Sequence, residues 1–394
     1  MNKKKYDVLI VGAGIIGSAI AYFLSKEKIK VGVIEKGNIG EGTSNSCDGF
    51  VFLQSKKPGI SLKLALKSIH ILKQLQDEFE RDIEYEQKGG LVIINSEIEK
   101  KALLQMVKEH QAFGLEVQML DTEETLKIEP FLSKEILGST YCKLDGSINP
   151  IALTLAFAET AIKNGVNFYP SIEIENFIYE NNHIIGITST KQEQFFADKI
   201  VLATGIYSNK LLSKINIQLP LKPRRGQVIV SEPIAPLLNH ALLSGRYIAA
   251  KLYPEMLQDL TDPLNKMGIA FGIEQTKSGN LLIGTTREFV GENKEITFQG
   301  IEYILKLATS IIPSLIDINI IRTFSGLRPY TIDGLPIISK LDPFDNLIIA
   351  TGHEGDGITL SAITGKLVKQ MVLEEQLSYN IEKLDNKRFN KIET

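Results

Sequence analysis

Cysteine is scarce in this chain, with Cys47 and Cys142 the two in 394 residues. They lie far apart, in neither C-x-x-C nor zinc spacing. That excludes a disulfide scaffold and an iron–sulfur cluster of the chain's own, and it suits a reducing cytoplasm. The five histidines make no H-x-x-x-H or H-x-x-E-H pattern, so no metal site is expected. A G-x-S-x-G nucleophile elbow is also missing. Neither sign of charge dominates: 44 Lys and Arg stand against 47 Asp and Glu, a net of −3. With no basic run interleaved with aromatics, nucleic acid is excluded as a partner. No stretch approaches the roughly 20 apolar residues that a membrane span needs.

The segment Val8–Leu24 is uncharged and follows Lys3-Lys4-Lys5, the outline of a signal peptide. Three glycines inside it, and the strand and acid after it, assign it instead to the opening βαβ unit of a cytoplasmic protein. Any membrane attachment would then be peripheral, through a partner. At 43% hydrophobic and 23% charged, the chain has the balance of a globular protein and the length for two domains.

That opening unit, Tyr6–Glu35, organises the remainder. Val8–Val11 has the composition of a buried parallel strand. Gly12, Gly14 and Gly17 follow in G-x-G-x-x-G spacing, and Ala19, Ile20, Phe23 and Leu24 carry a helical pattern. A second strand, Val31–Ile34, ends at Glu35. Gly12 suits a tight turn, Gly14 lets backbone approach a pyrophosphate, and Gly17 lets helix and strand pack closely. The N–H groups of the first helical turn, at Ile15 and Ile16, favour phosphate. Glu35 is placed to accept hydrogen bonds from ribose hydroxyls. Lys36 and the loop Gly37–Gly49, with Gly42, Thr43 and Ser44, offer backbone and hydroxyl donors further along a bound dinucleotide.

Further on, Gly59–Glu80 is predicted as an amphipathic helix. Leu91–Asn95 is predicted as a strand, Ser96–Phe113 and Pro150–Asn164 as helices, and Val166–Ile187 as a hairpin turning at Asn181-Asn182. Lys199–Gly205 ends a buried strand at the ligand crevice, with Ala203 and Gly205 at the cofactor. From Gln227 to Thr286 strands are expected throughout, GRYIAAKLY (Gly245–Tyr253) among them. A helix at about Thr297–Ile312, strands at Ile320–Gly326 and Leu347–Thr351 and a helix at Ile358–Leu373 complete the pattern.

Two late segments, SGLRPYTIDGLPII (Ser325–Ile338) and ATGHEGDGITLS (Ala350–Ser361), complete a set of motifs. With the N-terminal glycines, RGQVIV (Arg225–Val230) and GNLLIGTTREFVG (Gly279–Gly291), the chain resembles the D-amino-acid oxidase superfamily of FAD-dependent oxidoreductases along essentially its whole length. Within it the chain resembles glycine oxidase, sarcosine oxidase beta subunits, and the FAD subunits of proline or hydroxyproline dehydrogenases and hydrogen cyanide synthase. The resemblance implies an α/β fold, a Rossmann-like FAD-binding domain interleaved with an antiparallel-sheet substrate domain. The FAD-binding parts would be residues 1–80, 146–218 and 321–376, the substrate parts 81–145 and 219–320, with 377–394 an exposed tail.

FAD as the cofactor and Arg328 as the anchor of a substrate carboxylate both follow from the resemblance. A guanidinium fork suits that task on its own chemistry. Gly326, Gly352, His353, Gly355, Gly357 and Ile358 are expected along the flavin, and Tyr247, Tyr330 and His353 are substrate-pocket candidates. Asp356 and Asp333-Gly334 are expected to shape turns. The implied activity is oxidation of the C–N bond of a small amino or imino acid by hydride transfer to flavin. The chain would act as the FAD subunit of a dehydrogenase complex, next to an iron–sulfur or second flavin subunit. Two alternatives stand with it: a self-sufficient oxidase releasing hydrogen peroxide, and a non-catalytic FAD-binding subunit. Leu282 occupies the position where some sarcosine oxidases place an oxygen-activating lysine.

Overall fold

In the computed structural model, which describes residues 4–257, 259 and 261–391, two eight-stranded sheets carry the fold. The first Lys of Lys3-Lys4-Lys5 and the end of the tail lie outside the described residues. Strand Lys4–Val11 sits in the middle of the first sheet, parallel to Val31–Ile34 on one side and Gln194–Leu202 on the other. Leu347–Thr351 and Asn167–Tyr169 extend the parallel set on either flank. Helices cover the sheet, so its strands are near-continuous apolar runs, VLIV and VGVI, buried throughout.

Helix Ile15–Leu24 packs between helices Pro150–Lys163 and Gly357–Val372. The last crossing is close because Gly365 has no side chain; a Cβ there would stand 2.7 Å from the Phe23 ring and 2.8 Å from the Ala19 carbonyl. Two distant helices of the sequence are thereby locked together. The expected hairpin forms as Ile174–Glu180 and His183–Ser189, with Asn181 in the left-handed region its turn requires.

The second sheet is antiparallel apart from one parallel pairing, Ala241–Ser244 with Gly90–Ile93. Its strands come from Gly90–Cys142 and from Leu221–Thr331, and helix Phe298–Ile311 seats Ile304, Ala308 and Ile311 on its apolar face. Strand Ile320–Thr331 runs beyond the expected Gly326, antiparallel to Leu221–Pro233 along nearly its whole length. This register brings Arg328 opposite Arg224 and Gly326 opposite Gly226.

Two expectations are corrected. Gly245–Leu252 is a helix, not a strand. The Ser244 hydroxyl accepts the Tyr247 N–H at 3.3 Å as its N-cap, and buried Gly245, Ile248 and Ala249 fall at i, i+3 and i+4. A short apolar run is compatible with either period, and the cap decided it. The tail is also not simply an exposed end: Ile381 and Leu384 are buried, and Arg388 donates to Asp333 at 2.7 Å and to the Leu335 carbonyl at 2.8 Å.

Candidate active site

A single cavity follows the carboxyl ends of the parallel strands and continues to the face of the second sheet. At its first end, Gly12 has φ +103, and a Cβ there would lie 2.5 Å from the Ala203 carbonyl oxygen, so nothing larger fits the turn. The Glu35 carboxylate accepts the Ala13 N–H at 2.8 Å and the Gly37 N–H at 2.9 Å. It therefore splints the glycine turn while also lining the cavity. The Ser44 hydroxyl accepts the Ile15 N–H at 2.9 Å, taking one of the free donors of the first helical turn. Gly14, Ile15 and Ile16 remain on the wall.

Lys36, Gly42, Thr43, Ala203, Gly205, Gly326, Gly355, Gly357 and Ile358 line the same cavity. Lys36 lies over the Tyr207 ring at 3.1 Å. Burial lowers its ammonium pKa against the pull of Glu173 and Glu35. Gly17 and Gly352 do not reach the cavity; each is a close-packing position, Gly17 against the Gly12 carbonyl and Gly352 against Thr331. Tyr330 and Leu282 are off the wall as well. Tyr330 supports the Arg224 guanidinium at 4.5 Å, and Leu282 sits in strand Asn280–Gly284 opposite Val230 and Glu274.

At the far end, Arg328, Tyr247 and His353 come together from three elements. The Arg328 guanidinium donates to the Thr286 carbonyl at 3.1 Å and the Thr285 hydroxyl at 2.9 Å. A guanidinium has five N–H donors, so these two bonds fix its plane and leave capacity for a ligand. His353 is buried, its Nε2 3.1 Å from the Thr364 hydroxyl, and burial pushes its pKa down to about 4. It is a neutral imidazole at physiological pH. Cys47 also lines the cavity, and burial raises its thiol, so it stays protonated.

A buried charge cluster surrounds this end, and sequence reasoning missed most of it. Asp356, expected to shape a turn, pairs with Lys56 at 2.9 Å and Lys251 at 2.7 Å, all three buried or nearly so. Burial would raise the Asp356 carboxyl, but the two lysines hold it below its ordinary value. Glu354 pairs with Arg224. Against its own burial, Arg224, Arg287, Lys251 and Arg328 draw it well below the carboxylate range. Arg287 stacks over the Tyr247 ring at 4.3 Å. The acids flanking His353 and the Arg of TTREFVG were visible signals, but their partners are distant in sequence.

The residues present suit a dinucleotide. They supply a glycine turn with bare backbone, a helix first turn, a carboxylate for ribose, and the start of helix Gly357–Val372 beside the Arg328 end. Fold and site together define a dinucleotide-dependent oxidoreductase. The chain belongs to the FAD dependent oxidoreductase family, which matches residues 7–371, and FAD is its cofactor.

Glycine oxidase of Geobacillus kaustophilus is 29% identical over 96% of this chain and 95% of its own. The hydrogen cyanide synthase subunit HcnC of Pseudomonas protegens is 28% identical, covering 98% and 97%. Among solved structures, L-proline dehydrogenase from P. horikoshii superimposes with a TM-score of 0.87 at 24% identity, over 99% of both chains. Among the described residues there is no cluster able to hold a metal ion and no helix long and apolar enough to cross a membrane.

Proposed function

We propose that this protein is an FAD-dependent dehydrogenase of a small amino or imino acid of the proline, sarcosine or glycine type, working as the FAD subunit of a complex. The observation that carries the reading is Arg328, planar, fixed by Thr285 and Thr286, and open to the cavity beside Tyr247. Two relatives are themselves components of larger enzymes, the beta subunit of the sarcosine oxidase of Arthrobacter sp and one subunit of the opine oxidase of Rhizobium meliloti, which supports a subunit role.

Bound FAD supplies a two-electron acceptor. The protein's part is to hold and orient the substrate. Arg328 pairs with the substrate carboxylate through its fork and turns the carbon bearing nitrogen toward the flavin. Tyr247 closes the carboxylate's other side with its hydroxyl. The neutral His353 packs the cavity without adding charge, and the N-terminus of helix Gly357–Val372 favours negative charge at the flavin edge. Gly12, Gly14, Ile15, Ile16, Glu35, Lys36, Thr43 and Ser44, all on the cavity wall, would hold the adenosine and pyrophosphate portions. Gly205, Gly326, Gly355, Gly357 and Ile358 provide the backbone wall toward the ring.

The test is bleaching of the flavin of the purified holoprotein without oxygen. Candidates are glycine, sarcosine, D-amino acids, proline and hydroxyproline. Bleaching followed by slow recolouring in air supports the dehydrogenase. Fast recolouring with hydrogen peroxide makes it an oxidase, in keeping with the relatives named glycine oxidase. A flavin bleached by none of them overturns the substrate class.

A further inference from the structure

Arg328 accounts for a substrate carboxylate and leaves the substrate nitrogen without a partner. An amino or imino acid enters near neutral pH as a zwitterion, and its ammonium has no lone pair with which to form the C=N bond. A proton must leave before oxidation. His353 is buried and neutral, with its Nε2 on the Thr364 hydroxyl, so it brings no negative charge to meet an ammonium.

Two acidic side chains share the Arg328 end of the cavity: Glu354, already paired with Arg224, and Asp48. Asp48 lies in the loop between the Thr43–Asn45 turn and strand Phe50–Val51, on the cavity wall and half-buried. The loop is tied to the arginine strand by the Thr43 hydroxyl, which donates to the Leu327 carbonyl at 2.7 Å. Behind it stands Glu274 of strand Gly272–Gln275, 6% exposed. Its Oε1 accepts the Gly49 N–H at 2.6 Å, and its Oε2 has no hydrogen-bond partner. Asp48 and Arg328, from two elements, therefore line the end of the cavity where an α-amino acid would present both of its charged groups, with Glu274 buried behind Asp48.

We propose that Asp48 is the amine-side residue of this site, receiving the substrate ammonium while Arg328 holds the carboxylate, and accepting the ammonium proton before oxidation. The inference rests on the amino-acid reading above and extends it to a second recognition group and a catalytic base.

The surrounding charges favour Asp48 over its neighbour. Burial, then the negative charge of Asp48, push the Glu274 carboxyl up to about 8, so Glu274 is largely a neutral acid at pH 7. Burial also raises the Asp48 carboxyl, against the pull of Arg328. Glu354, before the last long helix, adds a weaker upward push, and the Cys47 thiol beside it stays neutral. Of the two, Asp48 is the one that lines the cavity, and its raised carboxyl is a stronger base than that of an exposed aspartate. In the proton step one N–H bond of the substrate breaks and one O–H bond forms on Asp48, with no change of oxidation state. Bound FAD would supply the acceptor for the electron pair of the C–H bond, and the nitrogen lone pair freed by Asp48 would form the C=N bond.

The experiment titrates the flavin spectrum of holoprotein with matched ligands, proline against tetrahydro-2-furoate and sarcosine against methoxyacetate, in wild type, Asp48→Asn and Asp48→Glu. Asp48→Asn is expected to bind the amine of each pair at least ten-fold more weakly and to bind its oxygen counterpart equally or more tightly. Asp48→Glu is expected to recover part of the preference, which a purely structural loop residue would not do. The rate of anaerobic flavin reduction in Asp48→Asn is expected to rise ten-fold per pH unit up to the substrate amine pKa, while wild type levels off below it. Unchanged preference and an unchanged pH profile in Asp48→Asn overturn the assignment. If neither member of either pair perturbs the wild-type flavin, the amino-acid reading itself fails and takes this proposal with it. That result is distinct from failure at Asp48 alone.

Discussion

Gly226 lies directly beneath the Arg328 guanidinium: a Cβ on Gly226 would stand 2.5 Å from each terminal nitrogen. The two residues lie on adjacent antiparallel strands and are offset by two register positions, Gly226 being opposite Gly326 and Arg224 opposite Arg328. The missing side chain is what lets the fork lie flat against the sheet.

Gly226→Ala is therefore expected to displace the guanidinium while leaving the cofactor end intact. Its KM for a carboxylate substrate should rise at least ten-fold with FAD retained, measured by steady-state kinetics and flavin content. An unchanged KM would mean that the observed position of Arg328 is not the one used in binding.

Replacing Arg328 itself separates fork from charge. Arg328→Leu should cost on the order of 3 kcal/mol in kcat/KM, and Arg328→Lys should recover only a minor part, because an ammonium cannot make the bidentate pair. FAD absorbance remains in both variants. Equal activity in all three proteins would indicate a non-catalytic FAD-binding subunit.

His353 predicts a pH dependence of stability. Its folded pKa of about 4 lies below the ordinary 6.5, so the unfolded chain takes up a proton over that interval and the folded chain does not. This contribution is fully present above pH 6.5 and is lost as pH falls toward 4. His353→Gln, which keeps a polar partner for Thr364, should flatten that part of the profile by about 1–3 kcal/mol in denaturant unfolding. A profile identical to wild type would show that the imidazole protonates freely in the fold.

Asp356 is the sole acid paired with Lys56 and Lys251 among the ion pairs of the described residues. Asp356→Ala leaves two buried ammonium groups without their counter-charge and should destabilise the protein by about 3–5 kcal/mol. The triple replacement Lys56→Met, Lys251→Met, Asp356→Leu should recover much of that loss, since buried pairs often give way to packed apolar groups at little cost. Thermal unfolding of both variants, each loaded with FAD, measures the difference.

The first βαβ unit was legible because its chemistry is local. Strand, glycines, helix, second strand and Glu35 occupy 30 consecutive residues, and each type is required by its neighbours. The hairpin at Asn181-Asn182 was legible for the same reason. Helix Gly245–Leu252 was not, because a short apolar run satisfies either period until Ser244 caps it. The second function of Glu35, splinting Ala13 and Gly37, was equally hidden. A carboxylate's backbone partners depend on how the turn closes, not on residue type.

What the sequence by itself determined is the nucleotide-binding turn, its acid, and the pairing of that unit with the GLRP and GHEGDGI segments. These rest on residue types whose steric and hydrogen-bonding needs hold wherever the backbone goes. Only the tertiary structure decided which charges meet at the reacting end. Asp48, Glu274, Arg224, Lys251 and Glu354 lie in five separate stretches, and the fold sets Glu274 by Asp48, Asp48 near Glu354, and Glu354 among Arg224 and Lys251. Their protonation follows from that burial and proximity, which no spacing along the chain encodes.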